Sequence, residues 1–216
     1  MIAFAACIGS EEKYRRFAAP GLRAVAEPDS LIAEATTSTS IFEAYNEVLD
    51  ALAGDESLEA LVLLHEDTEI VDTEFCAKLR RIFADPSVAV VGVVGARGVR
   101  NLKWWEGEGR GRVVETRGLV DFGGGFHDVD SVDGLLMVLS PWAVRNLRFD
   151  ADRFSGFHGY DADICFQARA AGKRVVVDDI AVVHHTKGGY GDVEAFQACE
   201  RVFVEKWGLA PAALRA

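Results

Sequence analysis

The chain has 216 residues, half of them hydrophobic and 26% charged, with a net charge of −11. That length suits one well-cored domain, and the absence of any apolar run near the ~20 residues of a membrane helix predicts a soluble protein with no transmembrane segment. The acidic balance argues against a phosphate-neutralising surface, so no nucleic-acid partner is expected.

The opening "IAFAACI" reads as a buried strand, since it lacks a basic flank and runs directly into the charged "EEKYRR". Cys7, Cys76, Cys165 and Cys199 are widely scattered, which suggests neither a zinc site nor a disulfide framework. Reduced thiols and a cytoplasmic location are the expectation. Helix-like "EEKYRRFAAPGL" follows the first strand, and "LIAEAT" precedes "SIFEAYNEVLDALAG", whose Ile41, Ala44, Val48, Leu49 and Leu52 keep helical spacing. Strand "ALVLL" then leads to helix "DTEFCAKLRRIFADP" and strand "VAVVGVVG". Such β-then-α units predict an α/β fold of Rossmann-like type, a central mostly parallel sheet with helices on both faces.

From Ala96 to Asp128 the pattern becomes irregular and rich in Gly, Arg and Trp, with only "RVVET" reading as a strand. A segment of this kind is expected to be a functional loop or lid. Order returns with strand "VDSVDGLLMVLSP", a short helix from Trp142, a helix beginning near Asp161 and ending at Gly172, strands "RVVVDD" and "AVVHH", a loop "TKGGYGD", and a last helix "VEAFQACERVFVEKWG". The expected organisation is therefore a single domain over 1–216: a nucleotide-binding half at 1–95, the irregular segment at 96–128, and a second ordered half at 129–216.

Three clusters carry chemistry. In "LVLLHEDTEI" a buried strand ends in His65, Glu66 and Asp67, and strand alternation puts His65 and Asp67 on one face with Glu66 on the other. The pair can serve as ligands or simply cap a strand and a turn. "FSGFHGYDADICFQAR" opens a helix with Asp161 and Asp163, where a carboxylate is either a cap or a general base beside an aromatic, glycine-rich loop. In "AVVHHTKGG" the adjacent His184 and His185 face opposite ways, so only one readily reaches a given ion. Each cluster sits at a strand end or helix start, and in open α/β sheets ligands bind outside the carboxyl ends of the strands. Trp104 and Trp105, with nearby Arg97, Arg100 and Lys103, either stack a ligand's ring or hold an anionic group, or anchor a mobile loop.

In these motifs and their order the chain resembles the family 2 glycosyltransferases of the GT-A fold, in particular a compact branch with H-x-D in place of D-x-D. "SIFEAYNEVLDAL", "LLHEDTEI", "VDGLLMVLSPWAV", "FDADRFSGFHGYDADICFQARAAGKRVVV" and "VVHHTKGG" carry the likeness, which spans nearly the whole chain. The resemblance implies a metal-dependent, inverting transfer of sugar from a nucleoside-diphosphate sugar to a hydroxyl acceptor. It assigns Asp67 and His184 to the metal, with His185 as the register alternative, and Asp161 to the catalytic base, with Tyr160 replacing the family's Glu. It places His65 toward the nucleotide or metal, Ile8, Gly9 and Glu11 near the nucleoside's base, and Asp133 toward the donor sugar or acceptor. With it 129–216 becomes the acceptor and catalytic half, and Trp104 and Trp105 become candidates to stack a sugar ring or hold an anionic acceptor. Oxygen-rich ligation with imidazole and no thiolate suits Mn²⁺ or Mg²⁺. The departures from the acidic motifs keep a second reading open, a non-catalytic sugar-nucleotide or glycan-binding module on the same fold.

Overall fold

The computed structural model describes residues 1–35, 40–186, 188–189 and 191–209. Two sheets meet along the chain. The first has seven strands: β1 (Ile2–Cys7), β2 (Leu31–Ala35), β3 (Ala60–His65), β5 (Val88–Gly92), β9 (His127–Val129), β11 (Leu136–Leu139) and β12 (Arg174–Val177). Their order is β2-β1-β3-β11-β5-β12-β9. The pairings of β1 with β2 and β3, and of β5 with β12, are parallel, whereas β11 runs antiparallel between β3 and β5 and β9 runs antiparallel at one edge. Residues of β1, β3, β5 and β11 are almost all buried, which is why they read as continuous apolar runs in the sequence. Edge strand β2 leaves Leu31 and Ile32 exposed, and Thr36 of the expected "LIAEAT" lies outside the described residues.

The second sheet comprises β4 (Thr68–Ile70), β6 (Val94–Arg97), β7 (Glu108–Glu115), β10 (Ser131–Val132) and β13 (Val182–His184), in the order β10-β6-β7-β13-β4, with β8 (Gly118–Asp121) paired to β7. Much of the 96–128 segment, expected to be an irregular loop, is therefore a β-meander. Its alternation is hidden by glycines: Gly111, at φ 85, sits where a side chain would collide with the Val93 carbonyl. "VAVVGVVG", which reads as one strand, splits at Val93, so that β5 belongs to one sheet and β6 to the other. "VDSVDGLLMVLSP" likewise divides into β9, β10 and β11.

Helices α1 (Glu11–Lys13) and α2 (Ala19–Val25), joined by a π-helical turn at Tyr14–Ala18, follow β1. Helix α3 (Ile41–Leu52) buries Ile41, Phe42, Ala44, Tyr45, Val48, Leu49 and Leu52 along one stripe. Each large side chain so buried is worth about 1.5–3 kcal/mol. Helices α4 (Phe75–Phe83), α5 (Pro141–Asn146), α6 (Tyr160–Ala170) and α7 (Val193–Lys206) complete the order. The Tyr-Asn of α3 has a positioning use: Asn46 exchanges two hydrogen bonds with the Phe149 backbone, at 2.8 and 2.9 Å, and fixes the chain that leads into α6. Asp163 is 1% exposed and is held by Lys206, Trp207 and Gln167, which pins α7 against α6. A buried carboxylate so fully partnered is structural, and it does not line the cavity described next.

Candidate active site

Strand β3 ends at His65, and after Glu66 and Asp67 the chain enters β4 in the other sheet. Asp67 therefore lies at the crossing between the sheets. Antiparallel pairing of β4 with β13 sets His184 opposite Thr68, and the His185 backbone N–H donates to the Asp67 carbonyl at 2.8 Å. His184 Nε2 lies 3.3 Å from Asp67 Oδ1, while His185 turns away, bonds Glu69 at 2.8 Å and stacks on Phe17. His65, Asp67 and His184 each offer a ligand atom, all within 4.8 Å of one another.

The donor set fits a divalent cation. It holds two imidazoles and a carboxylate, and the buried His184 Nδ1 has no hydrogen-bond partner among the described residues. Burial, and to a smaller extent the charge of Glu66, push the nearby Cys7 thiol up to about 11, so it supplies no thiolate. Burial alone would raise the Asp67 carboxyl, but hydrogen bonds and charge from His184 and Lys13, with His65 adding to them, hold it well below the usual carboxylate range. Burial, reinforced by His184, lowers His65 and favours the neutral imidazole.

Cys7, His65, Asp67 and His184 line a cavity of about 780 Å³, together with Gly9, Glu66, Asp133, Tyr160 and Asp161. Asp161 is the second residue of α6. The N-cap position is held by Gly159, at φ 84, so Asp161 is not the helix cap. The Asp161 carboxylate accepts from the Gly134 and Ala162 amides, each at 2.9 Å. Burial and the charge of Asp133 outweigh these bonds and push it up to about 7. Asp133 in turn accepts from Trp104 Nε1 at 3.1 Å and from the Leu135 amide at 2.9 Å.

Of the residues expected near the nucleoside, Gly9 lines the cavity. Ile8 is packed in the core and Glu11 pairs outward with Arg15, so neither belongs to the cavity wall. Trp104 and Trp105 line it with Phe157 and Phe196, whereas Arg97 bonds the Asp128 carbonyl, Lys103 pairs with Glu200, and Arg100 is exposed away from the wall. Sequence reading missed two groups. Glu66 accepts the Gly9 and Ser10 amides and so clamps the loop after β1, and Lys13 reaches Asp67 at 3.1 Å. Alternation assigns Glu66 to the face away from His65, but no local spacing links Lys13 to a carboxylate 54 positions away.

A family model described as "Glycosyltransferase like family" matches residues 3–207. The chain belongs to that family. It is 32% identical over 217 residues to the streptomycin biosynthesis protein StrF of Streptomyces griseus, covering 98% of this chain and 77% of that protein. Among solved structures, GalNAc-T7 with UDP, GalNAc and Mn²⁺ superposes with a TM-score of 0.62 at 10% identity, over 94% of this chain and 47% of that one. The mannosyltransferase PcManGT of Pyrobaculum calidifontis, in complex with GDP-Man and Mn²⁺, gives 0.55 at 13% identity, over 88% and 58% of the two chains. A197 from STIV gives 0.56 at 12% identity, over 86% of each. The fold is that of the GT-A glycosyltransferases, and the protein is a glycosyltransferase. No helix among the described residues is long and apolar enough to cross a membrane.

Proposed function

We propose that the protein moves a glycosyl group from a nucleoside-diphosphate sugar to a hydroxyl acceptor, with inversion and with the help of Mn²⁺ or Mg²⁺. The observation that carries this reading is one cavity holding both the His65, Asp67 and His184 cluster and an Asp161 carboxyl raised to about 7. A divalent cation held by His65, Asp67 and His184 would supply Lewis-acid stabilisation of the departing diphosphate in a protein of net charge −11.

The remaining work falls to the chain's own side chains. Glu66 holds the Gly9 and Ser10 backbone in place at the nucleotide end of the cavity. Lys13 adds positive charge beside Asp67. Asp161, titrating near neutrality, takes the proton from the attacking hydroxyl, since a general base works best with its pKa near the operating pH. One base and one displacement invert the anomeric centre. Trp104, Trp105, Phe157 and Phe196 offer flat apolar faces for the acceptor, and Asp133 orients Trp104 among them.

A thermal-shift panel of nucleoside diphosphates and their sugars, with and without Mn²⁺, tests the reading. At least one sugar nucleotide should raise the melting temperature only when the metal is present, and the same donor should be turned over with an acceptor. Small natural-product acceptors come first, given the streptomycin biosynthesis relative. Binding without turnover across a broad acceptor set would leave a sugar-nucleotide-binding module instead.

A further inference from the structure

We propose that Tyr160 is a positioning residue, which fixes the tautomer of His65 and through Gly134 joins the metal-binding cluster to the Asp161 carboxylate. A neutral imidazole carries one N–H and one lone pair, and the partner of each nitrogen decides which is which. His65 Nε2 lies 2.7 Å from the Tyr160 hydroxyl. That hydroxyl has a single proton and donates it to the Gly134 carbonyl at 3.1 Å, which leaves it an acceptor toward the histidine. Nε2 therefore holds the proton, and Nδ1 keeps the lone pair. The reverse arrangement would take the phenol's proton away from a carbonyl in a buried corner.

The same glycine serves the base. Its amide donates to Asp161 Oδ2 at 2.9 Å, so Tyr160, Gly134 and Asp161 form one hydrogen-bonded ring closed by the Tyr160–Asp161 peptide bond, with His65 attached to it at the Tyr160 hydroxyl. A side chain at position 134 would collide with the Tyr160 hydroxyl, which explains glycine there. The Tyr160 ring is wedged among Phe42, Tyr45 and Phe149, so its hydroxyl has little freedom to leave. Hydrogen bonds that orient a metal-binding histidine usually matter 10- to 100-fold in metal affinity, and Tyr160 stands in that relation to His65.

The inference rests on the metal-dependent reading above, and its test separates the two. Long-range ¹⁵N–¹H correlation spectra of the metal-free protein, recorded above the titration range of histidine, should show His65 as the Nε2–H tautomer alone. Tyr160→Phe keeps the packed ring and removes the hydroxyl. It should give a mixture of His65 tautomers, and Mn²⁺ binding followed by electron paramagnetic resonance should weaken by about tenfold or more. A wild-type His65 protonated at Nδ1, or a Tyr160→Phe variant unchanged in either its tautomer or its Mn²⁺ affinity, overturns the proposal. A wild-type protein with the Nε2–H tautomer that binds no Mn²⁺ would overturn the metal-dependent reading, and with it the link from Tyr160 to metal affinity, while the tautomer assignment would stand.

Discussion

Asp67, which is buried, and Asp161, which is half-buried, line the same cavity, yet their surroundings drive them in opposite directions. For Asp67 the cost of burial is more than repaid by Lys13 and His184, and the carboxylate stays charged. Asp161 has two amide donors but no cation among the described residues, and it faces Asp133, so burial raises it to about 7. Charged partners, rather than depth, decide which acid binds a cation and which can exchange a proton.

The sharpest way to break this contrast is to make Asp161 unable to take a proton. Asp161→Asn keeps an oxygen for the Gly134 amide and should fold, but transfer should fall by about 10²-fold or more while nucleotide binding holds. Steady-state kinetics beside a binding isotherm would check this, and wild-type turnover would leave Asp133 as the remaining candidate base, because Asp163 is locked to Lys206 and Trp207. The substitution also has a stability sign. A carboxyl raised in the folded state contributes stability that is present below its unfolded pKa of about 4 and is lost as pH rises through about 7. Asp161→Asn should therefore compare better with wild type in melting temperature above pH ~7 than below pH ~4.

Removing the charge from the other acid should have a smaller but distinct effect. Asp67→Asn is expected to weaken metal-dependent nucleotide binding by about 10- to 100-fold, on the scale of losses at metal-site residues, with little change in binding measured without metal. Calorimetry showing equal affinities in the presence of Mn²⁺ would remove Asp67 from the metal site.

The mildest change tests the neighbour that separates the two acids. Asp133→Asn deletes the negative charge facing Asp161, so the rising limb of the activity profile, expected near pH 7 in wild type, should move to lower pH. The single amide oxygen can still accept from Trp104, at the cost of the bond from the Leu135 amide. A limb that does not move would mean that burial alone sets the Asp161 carboxyl.

How well each part of the molecule could be read from the sequence follows its exposure. Strands β1, β3 and β5 and helix α3 announce themselves because their side chains are buried in an unbroken row or stripe. The first half of β7 and all of β8 do not, since they are partly exposed and interrupted by Gly109, Gly111 and Gly118, and β4 is only three residues long. Lys187 and Tyr190 of the expected glycine-rich loop lie outside the described residues.

For the site, the sequence by itself determined which chemistry was present: a strand ending in His65 and Asp67, a helix opening on Asp161, and a late pair of histidines. Local alternation also fixed that His184 and His185 part company, because neighbouring side chains on a strand point to opposite faces. Only the tertiary structure decided that β4 pairs with β13 and so carries His184 to Asp67. It also decided that Lys13 neutralises that aspartate, that Tyr160 bridges His65 and Gly134, and that Asp133 stands against Asp161. The physical reason is that a ligand set, a tautomer and a shifted pKa are properties of neighbours in space, and the chain brings those neighbours from segments whose own periodicity carries no trace of one another.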